Sequence, residues 1–223
     1  MRALSQVSRR VVFAALVLLT LGAMIAQQTS SHQRTTSEPY TGDLSIFETP
    51  DRDQHLHIDQ VMDALGIAPG KNVADIGAGS GWFTLRAAKR VTNTGTVYAV
   101  DINSEAVKYI DERIAKDGVH NVKTILNKPE DPQLPAHSVD AVLLLKTYHE
   151  VANPAALMRS LRPALRAGAR IGIIDRNGNG SDHGVQKNIV VQEMGEAGYE
   201  LKDEKDSLVT EDKVDYFLIF AAK

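Results

Sequence analysis

The sequence predicts an α/β domain doubly wound around a mostly parallel sheet, and three observations carry that prediction. Short apolar runs alternate with segments of helical periodicity from about residue 53 to the C-terminus. Runs such as Ala141-Val142-Leu143-Leu144-Leu145 are apolar without interruption, the pattern of strands covered on both faces. The last two runs follow one another with no helix between them, so the sheet ends in an antiparallel pair at one edge.

Taken in order, Ile58, Val61, Met62 and Leu65 recur at helical spacing, and Ala68-Pro69-Gly70 follows. A helix is therefore expected from about Asp53 to Leu65. The first strand is expected at Asn72–Ile76, followed by a helix over about Gly81–Arg90 that carries Phe83 and Leu85. The second strand is expected at Thr96–Val100. Asn103 is a cap for a helix whose apolar face is Ala106, Val107, Ile110 and Ile114. Strands at Val122–Leu126 and Ala141–Leu145 come next. Asn153 and Pro154 form the cap and first turn of a helix with Leu157, Leu161 and Leu165 on one face, ended by Ala167-Gly168. A strand over Arg170–Ile174, the loop Asn177-Gly178-Asn179-Gly180, a helix near Val185–Ala197 and strands near Glu200–Lys205 and Val214–Ala221 complete the domain.

The chemistry is concentrated where the first two strands end. Residues 73 to 81 read Val-Ala-Asp-Ile-Gly-Ala-Gly-Ser-Gly, and Asp101 closes the second strand 20 residues after the last of those glycines. Glycines at 77, 79 and 81 allow a strand-to-helix turn closed to other residues and bring backbone N–H groups close to a ligand. A carboxylate on the neighbouring strand end can take both ribose hydroxyls. Together they point to a cofactor bearing a nucleoside. A nicotinamide fingerprint needs G-x-G-x-x-G, and Trp82 stands in the place of its third glycine, which weakens an oxidoreductase reading.

The order of acidic residue, G-x-G-x-G and second acidic residue resembles class I S-adenosylmethionine-dependent methyltransferases. The resemblance runs from about Asp51 to the C-terminus. It continues through Leu134-Pro135, Ser138 to Leu145, Thr147-Tyr148-His149-Glu150-Val151 and Leu161 to Asp175, which are similar to the later motifs of the branch that includes ubiquinone and menaquinone methyltransferases. It implies a seven-stranded Rossmann-like sheet with an antiparallel last strand. It implies S-adenosylmethionine as cofactor and methyl transfer to a small or lipophilic acceptor; the alternative is an exported protein of that fold that binds without catalysis.

The same resemblance places Gly77, Gly79 and Gly81 under the methionine part of the cofactor, with Asp75 orienting the loop and reaching the amino group. Asp101 takes the ribose and Ile102 packs on adenine. Either Glu130 or Asp131 meets the adenine amino group, in a segment, Lys128 to Gln133, longer than is usual for the family. Lys146 lies at the cofactor end of the fourth strand. Tyr148 and His149 face the sulfonium and acceptor, His149 as a proton acceptor. His183 lines the acceptor side, as do His55 and His57, while Trp82 and Phe83 pack the helix. No H-E-x-x-H set is present, and Lys146 stands where catechol-type enzymes place a metal-binding aspartate, so no metal is expected.

Arg2, Arg9 and Arg10 precede an apolar run from Val11 to Ala26, followed by Gln27-Gln28-Thr29-Ser30-Ser31. That is the layout of a secretory signal or an N-terminal membrane anchor, and its basic flank predicts export of the domain. At 16 residues the run is shorter than the ~20 that a spanning helix prefers. Residues 27–50 read as a flexible linker and 51–223 as the methyltransferase domain. The chain has 25 Lys+Arg and 28 Asp+Glu; without the three leader arginines the formal charge falls to −6, in no basic block, which excludes nucleic acid as a partner. With no cysteine, disulfides, thiolate metal sites and thiol nucleophiles are excluded. The expected partner is a small-molecule acceptor, with membrane association through residues 11–26; the oligomeric state is not legible.

Overall fold

The computed structural model describes residues 35–209 and 214–223, so the leader reading of residues 1–26 lies outside the described residues. The domain is a seven-stranded sheet in the order β3-β2-β1-β4-β5-β7-β6. Its strands are β1 (Val73–Ile76), β2 (Val97–Asp101), β3 (Val122–Leu126), β4 (Val139–Leu145), β5 (Leu165–Arg176), β6 (Tyr199–Glu204) and β7 (Asp215–Ala222). The first five pair in parallel, while β7 lies antiparallel between β5 and β6. The expected doubly wound sheet with an antiparallel last strand is the one found.

Burial explains the sequence pattern. β1 and β2 are buried at every residue and β4 at all but Asp140, whereas the edge strands β3 and β6 keep only Val122 and Tyr199 buried. Successive residues serve opposite layers. Val73 and Leu143 join one core with Val61, Trp82, Ala87, Ile110 and Phe217. Ala74 and Leu144 join the other with Met158, Leu161, Val190, Tyr199 and Phe220. The helices supplying these layers are α1 (Arg52–Leu56), α2 (Ile58–Ala64), α3 (Trp82–Val91), α4 (Ser104–Lys116), α5 (Pro154–Leu161) and α6 (Lys187–Glu196). Asn103 and Asn153 cap α4 and α5 as expected, accepting the N–H groups of Glu105 and Ala156.

Three expectations are corrected. The helix expected over 53–65 is two helices broken at His57, which takes a left-handed conformation with φ 41°. Leu56 and Ile58 are both buried in the same core, and an unbroken helix would point residues two apart to nearly opposite sides. The helix expected to run to Gly168 stops at Leu161 and passes into a 3-10 turn at Arg162–Ala164; Pro163 offers no N–H to continue it. Leu165 belongs instead to β5, pairing with Val139. Finally, residues 35–50 are not a free linker. Asp43 caps a 3-10 turn at Leu44–Phe47, Glu48 pairs with Arg113 of α4 and accepts a hydrogen bond from Ser80, and Ser37 Oγ donates to the Gly180 carbonyl at 2.6 Å. Leu44 of this segment is buried, and Leu44 and Phe47 turn toward a cavity beyond the strands' carboxyl ends.

Candidate functional site

The strand order reverses between β1 and β4, and a crevice opens beyond the strands' carboxyl ends at such a point. A cavity of about 360 Å³ lies there, within the range of small-molecule sites. Its floor is the turn from β1 into α3. The N–H groups of Gly77 and Ala78 both donate to the Val100 carbonyl, which ties the turn to the end of β2. Gly77 (φ 74°) and Gly79 (φ 55°) hold left-handed conformations that side chains resist. A Cβ on Gly77 would stand 2.2 Å from Thr147 Cγ2; on Gly79 it would meet only Phe47, at 3.8 Å. Gly77 is thus a close approach between the β1 and β4 ends. Gly81 does not line the cavity; it starts α3 and packs against Ile110.

The two carboxylates expected here differ in role. Asp101 spans the crevice: Oδ2 accepts the Gly79 N–H at 2.8 Å and Oδ1 the Asn103 N–H at 2.9 Å. One side chain therefore sets both the glycine turn and the start of α4, on the cavity wall. Burial raises its pKa against the pull of those N–H groups. Asp75 is deeper, 2% exposed, and accepts a hydrogen bond from Thr84 Oγ1 at 2.6 Å. Burial drives its carboxyl up to about 7; the Thr84 hydrogen bond pulls it back and the Asp101 charge adds to the rise.

Ile102 lies at the cavity rim, 43% exposed. Glu130 and Asp131 are not on the cavity wall: Glu130 Oε1 accepts from Asn153 Nδ2, and Asp131 Oδ1 accepts the Gln133 N–H. The long 128–133 segment folds on itself through a Lys128–Asp131 bridge and turns both carboxylates aside, which leaves Asn127 and Pro129 facing the cavity. Lys146 lines the cavity at a left-handed φ of 54°, its ammonium held by the buried Asp215 at 2.5 Å.

Of the residues read as catalytic, none lines the cavity. Tyr148 is buried in the core. His149, 4% exposed, is fixed to Asp175 at the end of β5, with Nδ1 2.8 Å from Oδ1 and its backbone N–H on Oδ2. His183 is exposed on the loop after β5, its ring edge-on to His149 with centroids 5.9 Å apart. His55 and His57 also lie away from the cavity; His57 Nδ1 is 3.1 Å from the Leu208 carbonyl oxygen. Trp82 is buried with the guanidinium groups of Arg52 and Arg86 stacked over its ring, and Phe83 reaches the cavity wall.

Three contributors escape the sequence reading. Glu150 faces the cavity from beside His149; burial raises its carboxyl to about 7, with His149 opposing and the Asp101 and Asp175 charges adding to the rise. Arg52, 8% exposed, brings a buried cation to the wall and donates to the Phe47 carbonyl at 3.0 Å. The segment from Thr36 to Phe47 forms the cover, with Tyr40 and Phe47 in edge-to-face contact. Glu150 alone had a signal, its place in the run 147–151 after β4.

The comparisons agree with this geometry. Over 111 residues the chain is 29% identical to a ubiquinone/menaquinone biosynthesis C-methyltransferase of Hydrogenovibrio crunogenus, a match covering 49% of this chain and 44% of that protein. Over 106 residues it is 30% identical to a protein-L-isoaspartate O-methyltransferase of Aeropyrum pernix, covering 48% and 38%. The chain thus spans less than half the length of these curated relatives. A crystal structure of a SAM-dependent methyltransferase from Aquifex aeolicus superposes with a TM-score of 0.72 at 24% identity, over 81% of this chain and 98% of that one, and shares the fold. The family model described as "Methyltransferase domain" matches residues 67–221, the span that carries the glycine turn, Asp101 and the whole sheet, and the chain belongs to that family.

Proposed function

We propose that this protein transfers a methyl group from S-adenosylmethionine to a small or lipophilic acceptor. The observation that carries the reading is the joining of the Gly77–Gly79 turn to Asp101 on the wall of one cavity. S-adenosylmethionine supplies an activated methyl on a sulfonium, so the protein's task is to hold donor and nucleophile in line. Asp75 meets the methionine amino group and Arg52, the buried cation of the same wall, its carboxylate; Asp101 takes the ribose and Asn127 the adenine end. Leu44, Phe47, Phe83 and Leu157 add an apolar patch to the same wall beside Lys146 and Glu150, which supports a lipophilic acceptor admitted beneath the 36–47 cover. A branch relationship to the quinone methyltransferases is compatible with that lining. Calorimetric titration with S-adenosylmethionine, S-adenosylhomocysteine and NAD, followed by a methyl-transfer screen, tests the reading. Tight NAD binding without S-adenosylmethionine binding refutes it, and cofactor binding without transfer to any acceptor favours the non-catalytic alternative.

A pH dependence follows from Asp75. Its carboxyl titrates at about 7 in the free protein, and a cation seated against it favours the ionised form. Below 7, binding must release a proton. Affinity for S-adenosylmethionine is expected to climb by up to about tenfold per pH unit toward 7 and then level, and Asp75→Asn removes the climb. Calorimetry in buffers of different ionisation enthalpy counts the proton; a wild-type affinity that does not change below 7 contradicts the assignment.

Export through residues 1–26 is part of the proposal. No helix among the described residues is long and apolar enough to cross a membrane. A reporter active only outside the cytosol, fused after residue 50, is expected to be active. A silent reporter with the protein in the cytosolic fraction ends the export reading.

A further inference from the structure

Behind the cavity wall, two loops far apart in the chain bring together His149, Glu150 and His183, whose ligating atoms all lie within 4.8 Å of one another. Among the described residues no other group of three or more His, Asp or Glu side chains converges in this way. We propose that these three residues bind a divalent transition-metal ion of the zinc class.

His149 is held in the orientation of a metal ligand. Asp175 Oδ1 accepts the Arg176 N–H at 2.8 Å and Oδ2 accepts the His149 N–H at 3.0 Å, so the carboxylate is an acceptor on both oxygens. The ring nitrogen it meets at 2.8 Å, Nδ1, is therefore the N–H of the imidazole, and Nε2 carries the lone pair. Nε2 is the atom turned to Glu150, 3.9 Å from Oε1. A carboxylate that orients a histidine through one nitrogen while the other ligates is the usual support of a histidine–metal bond.

The ligand set selects the class of ion. Two imidazoles and one carboxylate suit zinc and its neighbours, whereas magnesium and calcium prefer oxygen alone. An ion about 2.0 to 2.2 Å from each ligand sets tetrahedral neighbours roughly 3.4 Å apart, so the set must tighten. The 3.9 Å between His149 Nε2 and Glu150 Oε1 closes only if the Glu150 side chain shifts, and the exposed His183 is free of the core packing that holds His149 and can turn toward the same point. Three ligands leave a fourth position open, and Glu150, one of the three, also lines the cavity. The bound ion joins the loop after β4 to the loop after β5. Ser37 spans the same two loops, its N–H donating to the His149 carbonyl and its hydroxyl to that of Gly180. The site's existence is independent of the methyl-transfer reading; only its nearness to an acceptor rests on it.

The test uses the untagged full chain, stripped with a chelator and titrated with Zn²⁺, with Co²⁺ as a spectroscopic probe and Mg²⁺ as control. One equivalent of Zn²⁺ is expected to bind and raise Tm, Co²⁺ to give the intense visible bands of a low-coordinate nitrogen–oxygen site, and Mg²⁺ to do neither. His183→Ala, at an exposed position, should keep its fold and lose stoichiometric binding. Asp175→Asn should weaken Zn²⁺ roughly 10- to 100-fold by misorienting His149. Absence of stoichiometric Zn²⁺ binding, or unchanged affinity in His183→Ala, overturns the proposal. S-adenosylmethionine titrated beside it separates the two readings: zinc without cofactor binding refutes methyl transfer and keeps the site, and cofactor without zinc binding does the reverse.

Discussion

Gly77→Ala is expected to abolish measurable S-adenosylmethionine binding and to destabilise the domain by about 2 to 5 kcal/mol, the sum of a left-handed penalty and of overpacking. The added methyl would stand 2.2 Å from Thr147 Cγ2 and 2.8 Å from its Cβ, so rotating Thr147 does not clear it. The ends of β1 and β4 have to separate, and they are the floor of the cavity. Gly79→Ala is the internal comparison. It has a similar positive φ, but its nearest neighbour is Phe47 at 3.8 Å, so only the conformational cost of about 1 to 2 kcal/mol applies. Denaturant unfolding of the two variants side by side checks this, and equal losses would show that close approach at Gly77 is not the determinant.

The second large effect is at Asp101. Removing its carboxylate in Asp101→Ala takes away the proposed ribose contact and also the acceptors of the Gly79 and Asn103 N–H groups. A hydrogen bond to a charged group is worth about 1.5 to 3 kcal/mol, and releasing the glycine turn adds to that loss. Affinity for S-adenosylmethionine should fall by about 100-fold or more. Stability should fall too, by about 1 to 3 kcal/mol, because two part-buried donors lose their acceptor. Asp101→Asn retains one acceptor oxygen and should lie between. Calorimetry and unfolding on the three proteins decide the matter: binding lost with stability intact would confine Asp101 to the ligand, and wild-type binding in Asp101→Ala would remove it from the site.

The legibility of the site follows the range of the interactions that build it. The Gly77–Gly79 turn and Asp101 could be read because a strand end, a glycine turn and the next strand end follow one another in the chain. Glu130 and Asp131 stand off the cavity wall; a resemblance locates a segment but not the direction of its side chains. There a self-pairing loop and a hydrogen bond from Asn153 turn the carboxylates away. Tyr148 and His149 sit at the expected point after β4, yet the 3-10 turn at Tyr148–Glu150 points them into the protein and brings Glu150 to the cavity.

The sequence by itself determined the fold class, the caps at Asn103 and Asn153, the glycine turn and the place of Asp101. Each of these depends on local periodicity or on residues adjacent in the chain. Tertiary structure decided the rest. The break at His57 arises because Leu56 and Ile58 must both enter one core, and the early start of β5 because Leu165 finds Val139. Arg52, the cover held by Glu48 and Arg113, and the meeting of His149, Glu150 and His183 with Asp175 behind them join segments distant in sequence. Their contacts exist only once the sheet has set its strand order, and no spacing along the chain encodes them.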